Sequence, residues 1–481
     1  MKSNSINLET GFKLQWTWFL LIVSIWIIWI YSLPLDPDYS AGEMRDVYLS
    51  WFETGTLYSS IDHFPYRVLN YPPLFFYLVL LLNKMGIPYF LAGRMLSTSF
   101  GIFGFIIFYR WLRNLNIPSL QAKFVLALFT TSFPILYHLP QFYLQWPAIT
   151  LSFYGMYLLS KPSSSFRIIA AGIACAMACF FKQTQVITGF IAFLWLFTYA
   201  RPKSWIYLIT TLFVGSIGLA LLELKFGKSI WLHLFTYTIG TFSFHQLLVQ
   251  LFCHLCPWIF FFGMGIYRSF KEKDERSSLL NWYFIGSSLW LLSSSRLGAS
   301  SQYFMEWNFA TLLWSAPTLL DLISRPKAKF WKFLLFLQIF LAGLGFPGLV
   351  IYDALELQKL KSKLPLICHE ISSSTVPIPS DSPGLIRACG KIPALHPFIM
   401  DNLAQKNLWN KIPFVQKIEE KDFPYLVLSF NPQDYMKIKK NERWDITEIE
   451  SILKNYGIKN EILEWRIFEP RRLKPGEATS P

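Results

Sequence analysis

Charged residues are scarce in this chain. Only 15% of its residues are Asp, Glu, Lys or Arg, against about 25% in an ordinary soluble domain. Water therefore does not solvate most of the chain. Cysteine is also sparse, at six in 481 residues, which excludes a disulfide-built scaffold. The seven histidines nowhere take a His-x-x-x-His spacing, so no helical zinc motif is present. No internal repeat is visible, which argues against transporters built from inverted halves. The first apolar run, Leu14–Leu33, is too long for a signal-peptide core and has no small-residue cleavage site after it.

What the chain has in abundance is apolar and aromatic residues, 53% and 18%. They fall in blocks of roughly 17–25 residues, the length a helix needs to cross a bilayer. Blocks at 14–33, 90–111, 119–138, 145–160, 167–183, 186–200, 204–224, 246–267, 277–294, 303–324 and 329–350 predict eleven spans. The run Leu74–Leu82 is shorter and follows Pro72-Pro73. Its length fits an interfacial or re-entrant helix. The fold class expected is an all-α polytopic membrane protein, with residues 1–352 in the bilayer and 353–481 forming a small α/β domain.

The net charge of +14 would suggest nucleic acid in a soluble protein. Here Lys and Arg held in short cytoplasmic loops account for it, and no nucleic-acid partner is expected. If Leu74–Leu82 does not cross, alternate loops carry the basic residues. One set holds Lys2 and Lys13; Arg110, Arg113 and Lys123; Lys161 and Arg167; Arg201 and Lys203; Arg268 to Arg276; and Arg325 to Lys332. That set reads as cytoplasmic, in a plasma (inner) membrane protein with a cytoplasmic N-terminus. The loop 34–89, the Lys182–Gln185 junction, the Arg296–Glu306 stretch and the tail are then extracytoplasmic.

Four polar clusters collect on that outer face. The first holds Asp36, Asp38, Tyr39, Glu43, Arg45 and Asp46, with Asn70-Tyr71-Pro72-Pro73 farther on. A carboxylate just past a span can take a proton from an acceptor hydroxyl or amine; the plain alternative is a solvated loop. Asp38, Glu43 and Asp46 compete for the base role. The second cluster is Lys182-Gln183-Thr184-Gln185. Lys182 either snorkels or binds a lipid phosphate as a point charge. The third is Arg296 with Tyr303 and Glu306. Arg296 can grip a phosphate bidentately, and an acid just inside a span is a functional candidate; a structural Arg296–Glu306 pair is the alternative. The fourth, His138, Gln141 and Gln145, is explained as an interfacial belt. His233, His245 and His254 read as packing residues. Cys175, Cys179, Cys253 and Cys256 read as small buried hydrophobes. Cys368 and Cys389 can pair if the tail meets an oxidising compartment.

In order along the chain, Pro37-Asp38-Tyr39, Gly55-Thr-Leu-Tyr58, Asn70-Tyr71-Pro72-Pro73-Leu74, Arg94-Met-Leu-Ser97, Phe181-Lys182-Gln183-Thr184 and Arg296-Leu-Gly298 through Glu306 resemble the GT-C glycosyltransferases that use polyprenyl-phosphate sugars. The likeness is to bacterial members of the dolichyl-phosphate-mannose–protein mannosyltransferase and aminoarabinose transferase superfamily, over about residues 14–330. It implies a first external loop carrying the catalytic carboxylate, short juxtamembrane helices, and a lipid-phosphate sugar donor entering from the bilayer. The sugar passes to a lipid, protein or glycan acceptor on the non-cytoplasmic side, usually with inversion. By that likeness Asp38 is the base, with Arg45, Tyr71, Lys182, Gln183, Arg296, Tyr303, Glu306 and Gln145 near the substrates. No cofactor is certain, and a divalent metal has no support from ligand spacing. Two departures stand out. The family's Asp-Glu pair is Asp38-Tyr39 here, and the acid near the start of the fourth span is Gln145, which can hydrogen-bond but not act as a base. Transport or flipping of a lipid-linked substrate, or a catalytically inactive relative, are the competing readings.

In the tail, Phe423–Phe430 reads as a buried strand, Ile446–Tyr456 as an amphipathic helix and Glu464–Phe468 as a last strand. Arg471–Pro481 is expected to be unstructured.

Overall fold

The computed structural model describes residues 2–161, 164–238, 240–271, 275–325, 327–434 and 443–471. The unstructured end expected from the sequence lies, from residue 472 on, outside them. The chain divides into two compact units. Unit 1 takes Met1–Ser32, Tyr71–Leu224 and Gly240–Ala354; unit 2 takes Leu33–Asn70, Lys225–Ile239 and everything from Leu355. The first part of the external loop, Leu33–Asn70, thus belongs to the same unit as the tail, while the rest of the loop, from Tyr71, stays in unit 1.

Ten helices open the chain: α1 Lys2–Ser32, α2 Tyr39–Thr54, α3 Leu74–Lys84, α4 Tyr89–Asn114, α5 Ser119–Ala127, α6 Phe133–Tyr137, α7 Gln145–Leu159, α8 Ser165–Phe181, α9 Val186–Tyr199 and α10 Arg201–Phe226. Next come α11 Phe244–Ser269, α12 Glu275–Trp290, α13 Phe304–Ser324 and α14 Lys329–Glu370. Among the described residues, four helices are long and apolar enough to cross a membrane: Glu9–Ser32 of α1, α4, α10 and α11. The chain is a mostly helical, multi-pass integral membrane protein.

Several expected spans are broken or run on, for local reasons. The expected span 119–138 breaks at Ser132, an extended residue whose side chain accepts from Ile135 N at 3.4 Å. Pro134 follows within the first turn of α6, the place where a missing N–H costs nothing. In α11 a π-turn over Leu251–Leu255 leads into a 3₁₀ turn containing Pro257. Cys253 and Cys256, expected to be buried, are exposed on this apolar helix; Cys175 is buried. The last expected span does not stop at 350. It continues as the 42-residue α14, from apolar segment into tail without a break. Helix α3 has 11 residues and so rises only about 16 Å, short of a bilayer core of about 30 Å.

Unit 1 packs aromatic rings around Phe309 of α13. Its centroid lies 4.7 Å from Phe129, 5.0 Å from Phe153 and 5.9 Å from Trp146. In lipid such contacts act through close packing rather than through exclusion of water.

Unit 2 contains α2, a helical turn at Ser229–Trp231 and the tail, where α15 Pro383–Ala388, α16 Pro397–Gln405, α17 Ile412–Glu419 and α18 Ile446–Asn455 surround a three-stranded sheet. Strands β1 Leu426–Leu428, β2 Tyr456–Ile462 and β3 Trp465–Pro470 run in the order β1-β3-β2, antiparallel throughout. Val427 lies opposite Ile467. The expected strand 423–430 shrinks to three residues, and β2 replaces the end of the expected helix. Asp445 and Glu448 close a capping box on α18, which fixes where that helix begins. First-loop residues Ile61, Tyr66 and Val68 share a core with Met400, Phe414, Trp444 and Tyr456. Backbone bonds add to it, with Tyr66 N donating to Ala394 O (2.9 Å) and His396 N to Tyr66 O (3.1 Å). Cys368 and Cys389 are joined by a disulfide.

Candidate functional site

Within unit 1 the helix break between α8 and α9 is the first element to place a functional group. Lys182 caps α8 in an extended conformation (φ −150°, ψ 118°), and Gln183–Gln185 then form one 3₁₀ turn. This turns the Lys182 side chain inward, to 4% exposure. A buried ammonium needs polar neighbours. Its Nζ donates to Gln145 Oε1 at 2.5 Å and lies 5.8 Å and 5.4 Å from the ring centroids of Tyr71 and Tyr303, within cation–π reach. Gln145 Nε2 in turn donates to Gln302 O at 3.5 Å. Arg296 lies close enough to Tyr303 for its charge to act there. Arg296 packs against Gly240, where any Cβ would meet its Cγ at 2.1 Å, so only glycine allows this seat. The structure therefore gathers Tyr71, Gln145 and Tyr303 around the buried Lys182, with Arg296 near Tyr303.

Glu306 goes elsewhere. Its Oε1 accepts from the Thr188 hydroxyl and, at 3.1 Å, from the Tyr283 hydroxyl. It sits in a polar nest inside the helix bundle, and its bonded partners are these hydroxyls and Gln185 rather than Arg296. Gln183 stands half-buried at the start of the 3₁₀ turn. Sequence reasoning set His138 aside as a belt residue. It is fully buried, pairs with Ser301 Oγ at 2.9 Å and feels the Lys182 charge. A histidine and glutamine in the same turn region were its only signal.

A cavity of about 350 Å³ also belongs to this unit. Pro73, Leu74 and Tyr77 from the start of α3 line it, with Met177 and Phe180 of α8 and Leu221 of α10. Its wall is almost wholly apolar. Pro73 and Phe180 each lie two residues along the chain from Tyr71 and Lys182.

In unit 2 the first-loop acids are held in three different ways. Asp38 is the N-cap of α2, its Oδ1 accepting from Ser40 N at 2.7 Å. Gly55, at φ 73°, closes the other end of the helix. Glu43, one turn into α2, is half-buried and faces the Tyr39 hydroxyl. Burial pushes its carboxyl up, against the pull of His396, Tyr39 and Arg443. Asp46 is fully buried and receives Arg67 Nε at 2.6 Å, Arg387 Nε at 2.6 Å and His396 Nε2 at 2.9 Å. Burial alone would raise its carboxyl, but Arg67, His396 and Arg387 outweigh it and hold it well below the usual carboxylate range. Arg387 also clamps Glu53 through two bonds, of 2.7 and 3.0 Å. Arg45 donates to Pro34 O at 3.0 Å. Sequence reasoning missed Arg67, Arg387 and His396 as partners of Asp46; the last two lie 341 and 350 residues away, beyond any local pattern.

Among the described residues no group of three or more His, Cys, Asp or Glu side chains could hold a metal ion.

No family model matches the chain, and no curated protein matches it in sequence. Solved structures do match. ArnT from Cupriavidus metallidurans bound to undecaprenyl phosphate aligns with a TM-score of 0.61 at 10% identity, over 94% of this chain and 97% of that one. The oligosaccharyltransferase AglB from Archaeoglobus fulgidus, in complex with an inhibitory peptide and a dolichol-phosphate, gives 0.52 at 11% identity, over 92% and 72%. The mycobacterial arabinofuranosyltransferase AftD gives 0.50 at 12% identity, over 95% of this chain and 40% of that one. The chain has the GT-C fold that these structures share.

Proposed function

We propose that this protein is a glycosyltransferase that moves a sugar from a polyprenyl-phosphate donor to an acceptor on the non-cytoplasmic face. The observation that carries the reading is the buried Lys182, bonded to Gln145 and flanked by Tyr71 and Tyr303, in the same unit as an apolar cavity that begins two residues from it. A buried cation and an oily groove in one unit match a lipid phosphate, which has one anionic end and one isoprenoid chain. The shared fold supports the same reading, since ArnT binds undecaprenyl phosphate and AglB binds a dolichol-phosphate.

In this proposal Lys182 and Arg296 neutralise the donor phosphate. Charge-assisted bonds of this kind are the strong ones. Asp38 takes the proton from the acceptor hydroxyl or amine as that atom bonds to the anomeric carbon. The bond from the anomeric carbon to the phosphate oxygen breaks, and polyprenyl phosphate leaves with the electron pair. One displacement inverts the anomeric centre. Its cap bond to Ser40 holds the Asp38 carboxylate in one orientation, and pre-orientation of this kind lowers the barrier. Asp46, saturated by two guanidiniums and an imidazole, is assigned a structural role, and Glu43 supports Asp38. The charge pattern of the loops puts the tail and first loop on the outer face, and the tail disulfide fits an oxidising compartment.

The test uses membranes containing the chain, incubated with a panel of radiolabelled polyprenyl-phosphate sugars, and follows label into lipid, protein and glycan. Wild type transfers label from at least one donor. Lys182→Ala lowers kcat/KM by about 30- to 100-fold, the worth of a charged phosphate contact of about 2–3 kcal/mol. Asp38→Asn lowers kcat by about 100-fold or more, as expected for loss of a general base. Absence of transfer from every donor sinks the glycosyltransferase reading. Full activity in Asp38→Asn moves the base to another residue.

A further inference from the structure

We propose that Arg443 is a positioning residue for the loop acid Asp38, acting through the ring of Tyr39 and the carboxylate of Glu43. This rests on the glycosyltransferase reading for its role in turnover, but the contacts themselves all lie within unit 2.

Tyr39 directly follows Asp38 and is the first residue of α2. Whatever holds its ring also holds the turn that Asp38 caps. The Arg443 guanidinium carbon sits 4.1 Å from the centre of that ring, a stacked cation–π geometry. Arg443 is fixed from behind. Its Nη1 donates to the backbone oxygen of Asp381 at 3.0 Å and lies 3.9 Å from the Asp381 carboxylate. Asp381 is itself buried, 2% exposed, and accepts from Ser429 N at 3.0 Å and from the Ser429 hydroxyl. The chain of contacts runs from β1's end, through Asp381 and Arg443, to the first turn of α2. A guanidinium is planar and pre-organised, so it holds a ring more firmly than an ammonium does.

The second link is electrostatic. The groups that act on Glu43 are His396 from before α16, Tyr39 and Asp38 at the start of α2, and Arg443. Asp38 and burial push the Glu43 carboxyl up, while His396, Tyr39 and Arg443 pull it down. The sign follows. Removing the Arg443 charge removes one downward pull, so Glu43 takes up its proton at higher pH. A protonated Glu43 no longer places negative charge about one turn from Asp38.

The bland alternative is that Arg443 merely covers the Tyr39 ring. Three variants separate the readings. Arg443→Gln removes charge and keeps length, Arg443→Lys keeps charge and loses planar stacking, and Arg443→Ala removes both. The first readout is carboxyl labelling with a carbodiimide and glycine ethyl ester between about pH 4 and about pH 8, spanning the titration range of perturbed carboxyls. The full-length protein is digested and the Asp38–Glu43 peptide quantified by mass spectrometry. The expected result is a labelling midpoint for Glu43 raised by about 0.5 to 1 pH unit in Arg443→Gln and Arg443→Ala, equal to about 3- to 10-fold in proton affinity. Arg443→Lys shifts it less than half as far. The second readout is transfer kinetics. In Arg443→Gln and Arg443→Ala kcat falls about tenfold with the donor KM unchanged, since general-base geometry and not binding is affected. An unmoved midpoint in Arg443→Gln overturns the proposal, as does an unmoved midpoint with an equal fall in melting temperature in all three variants. Should wild type transfer no sugar, the glycosyltransferase reading fails. The labelling then still decides whether Arg443 governs Glu43.

Discussion

At the scale of single residues, three acids within nine positions of one loop have three different fates. Sequence pattern treats Asp38, Glu43 and Asp46 as equals, since each stands near a helical turn from the next. Their environments divide them: a helix cap for Asp38, a facing tyrosine for Glu43, and two arginines with a histidine for Asp46. The last is a strong claim on stability. Arg67, Arg387 and His396 are all at least nine-tenths buried, so Asp46→Asn leaves buried positive charge without its anion. Breaking a buried pair costs about 3–5 kcal/mol. Because the native carboxyl is held below its unfolded value of about 4, its contribution is present above that pH. It is lost as pH falls through the native value. Thermal melting in detergent from about pH 7 to about pH 3 checks this, with Asp46→Asn well below wild type at neutral pH and the gap narrowing in acid. A constant gap across the range refutes the charge account.

At the scale of elements, the interruptions matter more than the helices. The length of apolar runs located most of the helices, but a hydropathy window cannot see that Lys182 leaves the helix or that Ser132 stops one. Those breaks turn polar groups inward, where the bilayer has no water to satisfy them. Elements also meet through glycine. In unit 2 an added Cβ on Gly42 of α2 would lie 3.0 Å from Gly384 N and 3.1 Å from Gly384 Cα, so α2 and α15 touch backbone to backbone. Arg387 of the same α15 reaches Asp46 from that contact. Gly42→Leu forces the helices apart, at the cost of about 1–3 kcal/mol typical of overpacking. It is expected to lower the melting temperature by several degrees and to speed proteolysis of the tail, with Gly42→Ala affected far less. Equal melting of wild type and Gly42→Leu would falsify the close contact.

At the scale of the whole molecule, composition alone identified a multi-pass membrane protein, and charge asymmetry proposes its sides. The assignment makes a prediction. In intact cells Cys368 and Cys389 resist an impermeant maleimide until an impermeant reductant opens their disulfide, and then both label. Cytoplasmic placement gives the opposite result, thiols free without reductant and unreachable from outside. Mass spectrometry of the two peptides reads the outcome. Cys253 and Cys256, exposed on the apolar α11, stay unlabelled if that surface faces lipid.

The chain's own order of residues determined its membrane class, the approximate position of most apolar helices, the isolation of the tail as a separate composition, and the polar positions worth weighing. Those depend on local length, hydropathy and capping, which a linear pattern records. Only the tertiary structure decided which polar positions meet. It joined Tyr71, Gln145, Lys182 and Tyr303, sent Glu306 to Thr188 and Tyr283, raised the dismissed His138 to a neighbour of Lys182, and tied Asp46 to partners hundreds of residues away. It also grouped the first part of the external loop, Leu33–Asn70, with the tail. Charge pairing and ring stacking act over a few ångströms of space and carry no trace in sequence separation, so the loop acids could be found by reading but not told apart.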